Sequence, residues 1–304
     1  MNNTVVVHQV LVLFFIIMIG FIARKRDVIT ATGTEDLTRL LLNVTSPLTV
    51  FTSFQLEYSR AMLLGAVQVF TFAVAVHLFA LLIGLVIFNR YPEPVKRVLR
   101  FTTIFSNCGF MGFPLLQSIY GKSGVFYGSF YVMVFNLFIW TIGVRIFTVR
   151  QGEASLKKVL TTPSIIAIIL GLITFLLPVK LPRPVLAALE AVAAMNTPLS
   201  MLLVGATLTE VKAGELFSGW ALYYGSFVRL ILMPFFALLT TSLLNSPPLI
   251  QGVCVLITAT PAAALTNAFA TRYNGDTHLS SRLILLSTLL SVISLPFFAF
   301  LVNR

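Results

Sequence analysis

Charge is what this sequence has least of. Asp, Glu, Lys and Arg make up 10% of its 304 residues, against roughly 25% in ordinary soluble domains. A soluble fold of this length must cover its surface with charge, and this chain cannot. Acid is the scarcer sign: ten carboxylates stand against 21 Lys and Arg, a formal net charge of +11. Only two cysteines occur, Cys108 and Cys254, both inside apolar runs. That excludes a disulfide framework and any Cys/His cluster with metal-ligand spacing. With three histidines, no H-E-x-x-H, no paired acidic metal motif and no Ser–His–Asp set, hydrolytic chemistry has few parts. The chain reads as a non-enzyme, with no catalytic residue, cofactor or metal expected.

What it does have is apolar length. Hydrophobic residues make up 58% of the chain and the mean hydropathy is +0.95. Apolar runs of about 20 residues recur from end to end, each long enough to cross the bilayer as a helix. A barrel would show alternating segments of about ten residues instead. The fold class is therefore an all-α polytopic membrane protein whose solvent is the lipid bilayer. Ten helices are expected, at 5–23, 34–54, 61–88, 95–119, 123–148, 159–177, 183–208, 217–243, 249–272 and 278–302. The breaks between them fall at Arg24-Lys25-Arg26-Asp27, Tyr91-Pro92-Glu93-Pro94, Gln151-Gly152-Glu153, Leu177 to Pro184 and Ser246-Pro247-Pro248. The first run lacks a basic leader and is followed at once by three cations, a stop-transfer pattern rather than a cleavable signal.

The basic excess sits in short loops, where the positive-inside rule puts it, so nucleic acid is not an expected partner. With the N-terminus outside, inside loops hold 13 Lys and Arg and outside segments five. Both termini are therefore expected outside, in a multi-pass protein of the cytoplasmic (inner) membrane.

The two halves of the chain, 1–150 and 151–304, overlay. Asn43-Val44-Thr45-Ser46-Pro47-Leu48 in helix 2 matches Asn196-Thr197-Pro198-Leu199 in helix 7, with Pro47 and Pro198 151 residues apart. Arg39 aligns with Glu190 at the same offset, His77 with Arg229 at 152, and Tyr120-Gly121 with Tyr273-Asn274-Gly275 at 153. Five helices per half is an odd number, so the second copy must enter from the opposite side. Such an inverted-topology repeat is a signature of secondary transporters.

The sharpest local feature is Ser106-Asn107-Cys108-Gly109-Phe110-Met111-Gly112-Phe113-Pro114-Leu115, with two glycines and a proline mid-span in helix 4. Proline removes one backbone hydrogen bond and glycine permits non-helical angles. In lipid a freed backbone group is tolerated only where it is buried in protein or lines a wet cavity. Helix 9 carries the counterpart, Thr258-Ala259-Thr260-Pro261-Ala262-Ala263-Ala264. Two interrupted helices at matching positions point to a midplane substrate site; as a bland alternative, both are tolerated kinks.

These residues resemble a known family. Asn107-x-x-x-Met111-Gly112-x-Pro114-Leu115 is similar to the helix-4 crossover motif of the auxin efflux carriers, a group that includes the plant PIN-FORMED carriers and bacterial permeases within the bile-acid/arsenite/riboflavin transporter superfamily. Pro261 followed by Phe269-Ala270-x-x-Tyr273 resembles its helix-9 motif, and Asn136-Leu137-Phe138-Ile139-Trp140 its helix 5. The resemblance implies a scaffold domain of helices 1, 2, 6 and 7 and a transport domain of helices 3–5 and 8–10. It also implies crossed, unwound helices 4 and 9, an elevator-type movement, a homodimer, and small organic anions as substrates, auxin-like acids or dicarboxylates. Carried over by position, Asn107, Asn136 and Asn196 match polar residues lining the substrate site, and Pro261 the crossover; Ser46, Gly109, Pro114 and Thr260 complete the candidate set.

The residues point to anions independently. Half-helix N-termini direct partial positive charge and free N–H groups at the crossing. Asparagine adds neutral donors without the desolvation cost of a buried cation. Only Glu190 of the ten acids lies clearly within a span. Glu190 and His77 are candidates for coupling by proton transfer, against readings as a solvated acid and a helix-bonding histidine. Arg39 reads as a snorkelling structural cation. Arg229, mid-helix 8, either attracts substrate or pairs with an acid. Ser287, Thr288, Ser291 and Ser294 share one face of helix 10 and read as small packing residues. Sodium coupling would need oxygen ligands such as Ser106, Thr258, Thr260 and Asn267, with no acids to help, and ranks below proton coupling or uniport. A passive anion channel would use a similar polar path, but two broken helices in an inverted repeat favour a carrier.

Overall fold

The structure, a computed structural model, describes residues 3–147, 156–177, 181–210 and 218–302. Among these the chain is helical almost throughout, and its one β-type pairing is an isolated antiparallel bridge between Ser106 and Ala262. The turn expected at Gln151-Gly152-Glu153, Pro178 and the start of helix 8 at 217 lie outside the described residues, as do Arg150, Lys180, Lys212 and Arg304 of the charge count.

Six helical stretches are long and apolar enough to cross a membrane: Val7–Lys25, Arg60–Ile87, Cys108–Phe147, Arg183–Thr207, Trp220–Leu243 and Thr277–Val302. Pro163–Leu176 and Pro248–Thr258 are shorter apolar helices. The protein is thus a polytopic, helical membrane protein. Phe15, Ile19, Leu82, Val86, Leu239 and Ile293 are exposed, as apolar side chains facing lipid should be.

The stretch Cys108–Phe147 runs 40 residues, twice what a span needs. It is two legs. Gly121 sits at φ 60°, ψ −146°, outside helical angles and in a region glycine enters freely. A Cβ placed on Gly124 or Gly128 would lie 2.6 Å from atoms of Leu116. In a straight helix those positions would stand about 12 and 18 Å from it, at 1.5 Å per residue. The chain therefore folds back on itself at Gly121.

In chain order the helices are α1 (Asn3–Lys25), α2 (Ala31–Leu40), α3 (Ser46–Ser53), α4 (Arg60–Ile87), α5 (Glu93–Ile104), α6 (Phe113–Phe138), α7 (Val144–Phe147) and α8 (Leu156–Leu160), then α9 (Pro163–Leu176), α10 (Arg183–Ala194), α11 (Asn196–Thr207), α12 (Trp220–Phe227), α13 (Met233–Leu243), α14 (Pro248–Thr258), α15 (Leu265–Arg272) and α16 (Thr277–Val302). Wide π-turns join α2 to α3 (Leu41–Thr45), α6 to α7 (Ile139–Gly143) and α12 to α13 (Val228–Leu232). Helix periodicity alone does not announce them. α9 and α14 start on proline, Pro163 and Pro248, where the missing N–H has no intrahelical partner to lose; Pro47 and Pro114 instead follow directly on π-turns, inside continuous helical stretches.

Two sets of helices pack within themselves. In one, α3 lies against α9 and α10, and α1 against α11. Gln55 donates to the Thr174 hydroxyl there at 2.8 Å, and the fully buried Phe54 reaches out of the set, its ring 4.9 Å from that of Phe126 in α6. In the other, α4 packs on α5, α6 and α14, and α14 on α13 and α16; the Phe79 and Phe236 rings stack at 3.6 Å.

The closest helix approach is α1 against α11. A Cβ on Gly20 would collide with the Leu202 carbonyl, and one on Gly205 with the Ile17 carbonyl. Each glycine thus admits the other helix's backbone, the arrangement that drives helix association where lipid removes the hydrophobic term. Backbone cannot step aside as a side-chain tip can, so Gly205→Leu should cost at least about 1–3 kcal/mol, the usual overpacking range. Gly109→Ala, whose new methyl meets nothing within 4 Å, serves as the matched control. Thermal unfolding in detergent should separate the two; equal melting temperatures would show that α1 and α11 are not held at this distance.

Candidate functional site

The site is built where two helices fail. α5 ends at Ile104, Phe105 turns extended (φ −105°, ψ 110°), and a π-turn, Cys108–Gly112, restarts the chain into α6. α14 ends at Thr258, residues 259–264 are irregular, and α15 begins at Leu265. The two interruptions lie side by side and antiparallel. The Asn107 N–H donates to the Pro261 carbonyl at 2.7 Å, and the Ala263 N–H donates to the Phe105 carbonyl at 3.1 Å. Proline suits its place: at 261 the chain needs an acceptor and no donor.

Side chains meet four more of the severed backbone groups. The Ile257 carbonyl, near the end of α14, accepts from the Thr260 hydroxyl at 2.8 Å and the Ser106 hydroxyl at 3.3 Å. The Ala262 N–H donates to the Ser287 hydroxyl oxygen at 3.1 Å. Packing was the expected role of the helix-10 hydroxyls; Ser287 instead completes the crossing. The Arg229 guanidinium, 1% exposed, donates to the Thr103 carbonyl at 3.0 Å and also to the Thr258 carbonyl. Those are the C-terminal turns of α5 and α14, the negative ends of both helix dipoles. One cation thus caps two broken helices at once. Neither an acid nor the cavity described next touches it, so both roles expected for Arg229 give way to this one. The π-turn Val228–Leu232 carries it inward.

Beside the crossing lies a cavity of about 420 Å³. Both restarting helices open onto it, through Cys108, Gly109 and Phe110 on one side and Ala263, Ala264 and Leu265 on the other. The first N–H groups of a helix have no carbonyl one turn back, so two partially positive ends border one space. Asn43, Ser46, Ser106, Asn107 and Asn136 supply polar lining, and Phe113, Phe135, Ile139 and Trp140 apolar wall. Asn107 is buried, and Asn136 donates to the Val132 carbonyl of its own helix at 2.8 Å. Among the described residues no carboxylate lines the cavity, and the one cationic side chain there is Lys158, whose ammonium sits 5.6 Å from the centre of the Trp140 ring. Sequence reasoning counted Lys158 only as loop charge. Its closeness to Trp140, already quoted in the helix-5 motif, was the missing signal.

Of the candidate residues, then, Ser46, Asn107, Gly109 and Asn136 share this cavity. Pro114 is buried outside its lining, and Thr260 and Pro261 belong to the crossing itself. Asn196 is also outside it, 2% exposed, its carbonyl oxygen 3.4 Å from the Thr45 hydroxyl and its amide nitrogen without a partner. His77 is buried in α4, with Nδ1 2.7 Å from the Ala73 carbonyl and its ring among Phe105, Tyr131, Phe135 and Phe138. Glu190 pairs with Lys122 at 2.5 Å, beside a second cavity. Arg39 is exposed and lies 3.8 Å from Asp36. Of the oxygens considered for sodium, the Asn267 side chain accepts from the Ser280 hydroxyl at 2.8 Å, and the Ser106 and Thr260 hydroxyls are committed as above. Among the described residues no three His, Cys, Asp or Glu side chains gather as a metal site.

Comparison with known proteins agrees on the class. The sequence profile of the family described as Membrane transport protein matches residues 5–158 and 148–299. An uncharacterized transporter of Methanothermobacter thermautotrophicus is 29% identical, covering 97% of both chains. One from Methanocaldococcus jannaschii is 24% identical over 93% of this chain and 94% of its own. The uncharacterized transporter YfdV of Escherichia coli is 25% identical over 96% of each.

The double cap generates a test. Arg229→Met strands two buried carbonyls, each worth about 1–3 kcal/mol when left unmet. Ser287→Ala strands one N–H. The melting temperature should fall for both, and further for Arg229→Met. Arg229→Lys should fall in between, since an ammonium lacks the planar fork that spans two acceptors. If Arg229→Met melts like the parent, the two carbonyls do not depend on the guanidinium.

Proposed function

The chain belongs to the Membrane transport protein family, the auxin efflux carrier family, and on that premise we propose that it carries a small organic anion across the cytoplasmic membrane by elevator-type alternating access. One observation carries the choice of anion: two helix N-termini border one cavity that contains amide donors and a lysine and, among the described residues, no carboxylate. A carboxylate placed there gains from both dipole ends and from N–H donors that otherwise go unmet. Because Asn107 and Asn136 are neutral, the empty site keeps no buried charge that would have to be desolvated or neutralised. The apolar wall takes the rest of the substrate, and Lys158 receives the anion at the rim.

The proposed architecture is ten spans in two inverted repeats, both termini outside. The scaffold is helices 1, 2, 6 and 7 of the sequence-based numbering, and the moving domain helices 3–5 and 8–10. Support comes from the sequence overlay and from the pairing of the two breaks, which lie at corresponding places in the halves. In an elevator the crossing travels with its substrate, and Arg229 would keep it intact on the way by tying α5 to α14. The family resemblance supports a homodimer. Uniport or proton coupling is favoured over sodium coupling, because three of the four candidate oxygens, on Ser106, Thr260 and Asn267, already hydrogen-bond within the chain, and the buried Thr258 hydroxyl alone is left over. His77 and Glu190 stay candidates for proton transfer, acting at a distance from the cavity.

A thermal-shift screen of carboxylates and aromatic acids, across pH and with or without sodium, identifies a ligand. Asn107→Ala should then weaken its binding about tenfold or more, the worth of one hydrogen bond to a charged group, and leave a folded protein. Unchanged affinity would move the site elsewhere. Counterflow of the labelled ligand in proteoliposomes should show trans-stimulation; its absence would favour a passive anion channel.

A further inference from the structure

A second cavity, about 400 Å³, lies beside α3, bordered by Thr49, Thr52, Gln117, Lys122, Glu190 and Thr197. The two cavities have no lining residue in common. They sit at successive levels along one helix: the first reaches Ser46 and the residues before it, the second Thr49 and Thr52. Between them lies a buried layer in which the Thr45 hydroxyl meets the Asn196 side chain at 3.4 Å and the Thr49 hydroxyl donates to the Ala193 carbonyl at 3.0 Å.

Lys122 and Glu190 border the second cavity and close a 2.5 Å ion pair. The pair stands apart from the others. Arg24–Asp27, Arg39–Asp36, Lys96–Glu93 and Arg97–Glu93, the remaining ion pairs among the described residues, each join positions three or four apart on the chain. Lys122 and Glu190 are 68 apart. Lys122 follows the Gly121 turn, on the leg that packs with α4 and α14; Glu190 lies on α10, which packs on α3. The pair therefore joins the two sets of helices.

We infer that Lys122 and Glu190 form a latch that biases the protein toward the state seen here, in which the crossing cavity reaches the exposed Lys158 and a buried layer separates it from the latch. This rests on the alternating-access reading above. The side chains are 41% and 39% exposed. Water can solvate both charges when the pair parts, so the latch opens at little cost. A fully buried pair would instead leave two stranded charges and lock the state. A bias of this size suits two states that must both be visited.

Gly109→Cys supplies a reporter, since a side chain there points into open space within the cavity. The native Cys108 and Cys254 are buried and provide the blank. A membrane-impermeant maleimide would be applied to right-side-out and inside-out vesicles carrying the full chain, and the ratio of labelling rates read. The ratio should favour the Lys158 side. Lys122→Glu and Glu190→Lys should each lower it about two- to fivefold, the bias expected of an exposed pair. The doubly swapped Lys122→Glu/Glu190→Lys protein should return to within about twofold of the parent, the remaining difference being what an exposed pair loses by reversal. If a charge-reversed single variant does not fold, Lys122→Gln and Glu190→Gln replace it, with a smaller shift in the same direction. A one-sided ratio that none of the variants moves, or singles that the swap does not restore, would overturn the latch and leave alternating access standing. Equal labelling from both sides in the parent would mean no bias and would remove the latch, whereas passage of the impermeant maleimide itself into sealed vesicles would mean a continuous pore and would remove the reading it rests on as well.

Discussion

Everything in this protein is arranged around one obligation: a backbone cut open inside a membrane must still find partners for its N–H and C=O groups. Lipid offers none, and an unmet group costs several kcal/mol there. Two helices are severed at the same place, which would ordinarily multiply the penalty. Here each break supplies what the other lacks. Asn107 donates to Pro261 and Ala263 donates to Phe105, so a two-residue ladder replaces the missing helical bonds. Hydroxyls of Ser106, Thr260 and Ser287 take the next groups, and Arg229 takes the carbonyls beyond them. The first N–H groups of each new helix have no carbonyl one turn back to bond, and the residues that open both helices border the cavity. The site is thus the part of the interrupted backbone that faces a ligand.

This explains the division of labour among the polar residues. Thr260, Ser287 and Arg229, which complete the backbone, are buried and away from the cavity lining, while Ser106 does both. Asn43, Ser46, Asn107 and Asn136, which border the cavity, are neutral amides and a hydroxyl, and the cation that borders it, Lys158, is exposed. A carboxylate beside the helix ends would compete with any other anion for them; a cation facing the opposite ends of α5 and α14 complements those ends. Sign and position are matched, though Arg229 and Asn107 both lie mid-span in sequence.

Legibility in the sequence followed the length scale of each signal. Apolar runs of twenty residues and loop charge spoke for the membrane and the helices. Glycine and proline within a span spoke for the two interruptions, since few other residues permit them. Which side chains would meet was harder to read. Asn196 matched the family pattern, yet it turns toward Thr45 rather than the cavity. Ser287 sits in a row of hydroxyls that periodicity cannot tell apart. Arg229 looked like a charge in search of an acid or a substrate, because carbonyls freed by a break leave no letter in the sequence. The π-turn that aims it is likewise silent, being one extra residue in a helix of ordinary composition.

The pairing at the crossing also bears on how such a chain can come to exist. A polypeptide holding only the Asn107 break would expose the Phe105 carbonyl and the Asn107 N–H to hydrocarbon, and one holding only the Pro261 break would strand the complementary groups. Each would have to find its antiparallel partner strand in another chain. Neither break is therefore satisfied in the bilayer without the other, and carrying both on one polypeptide makes that encounter independent of concentration.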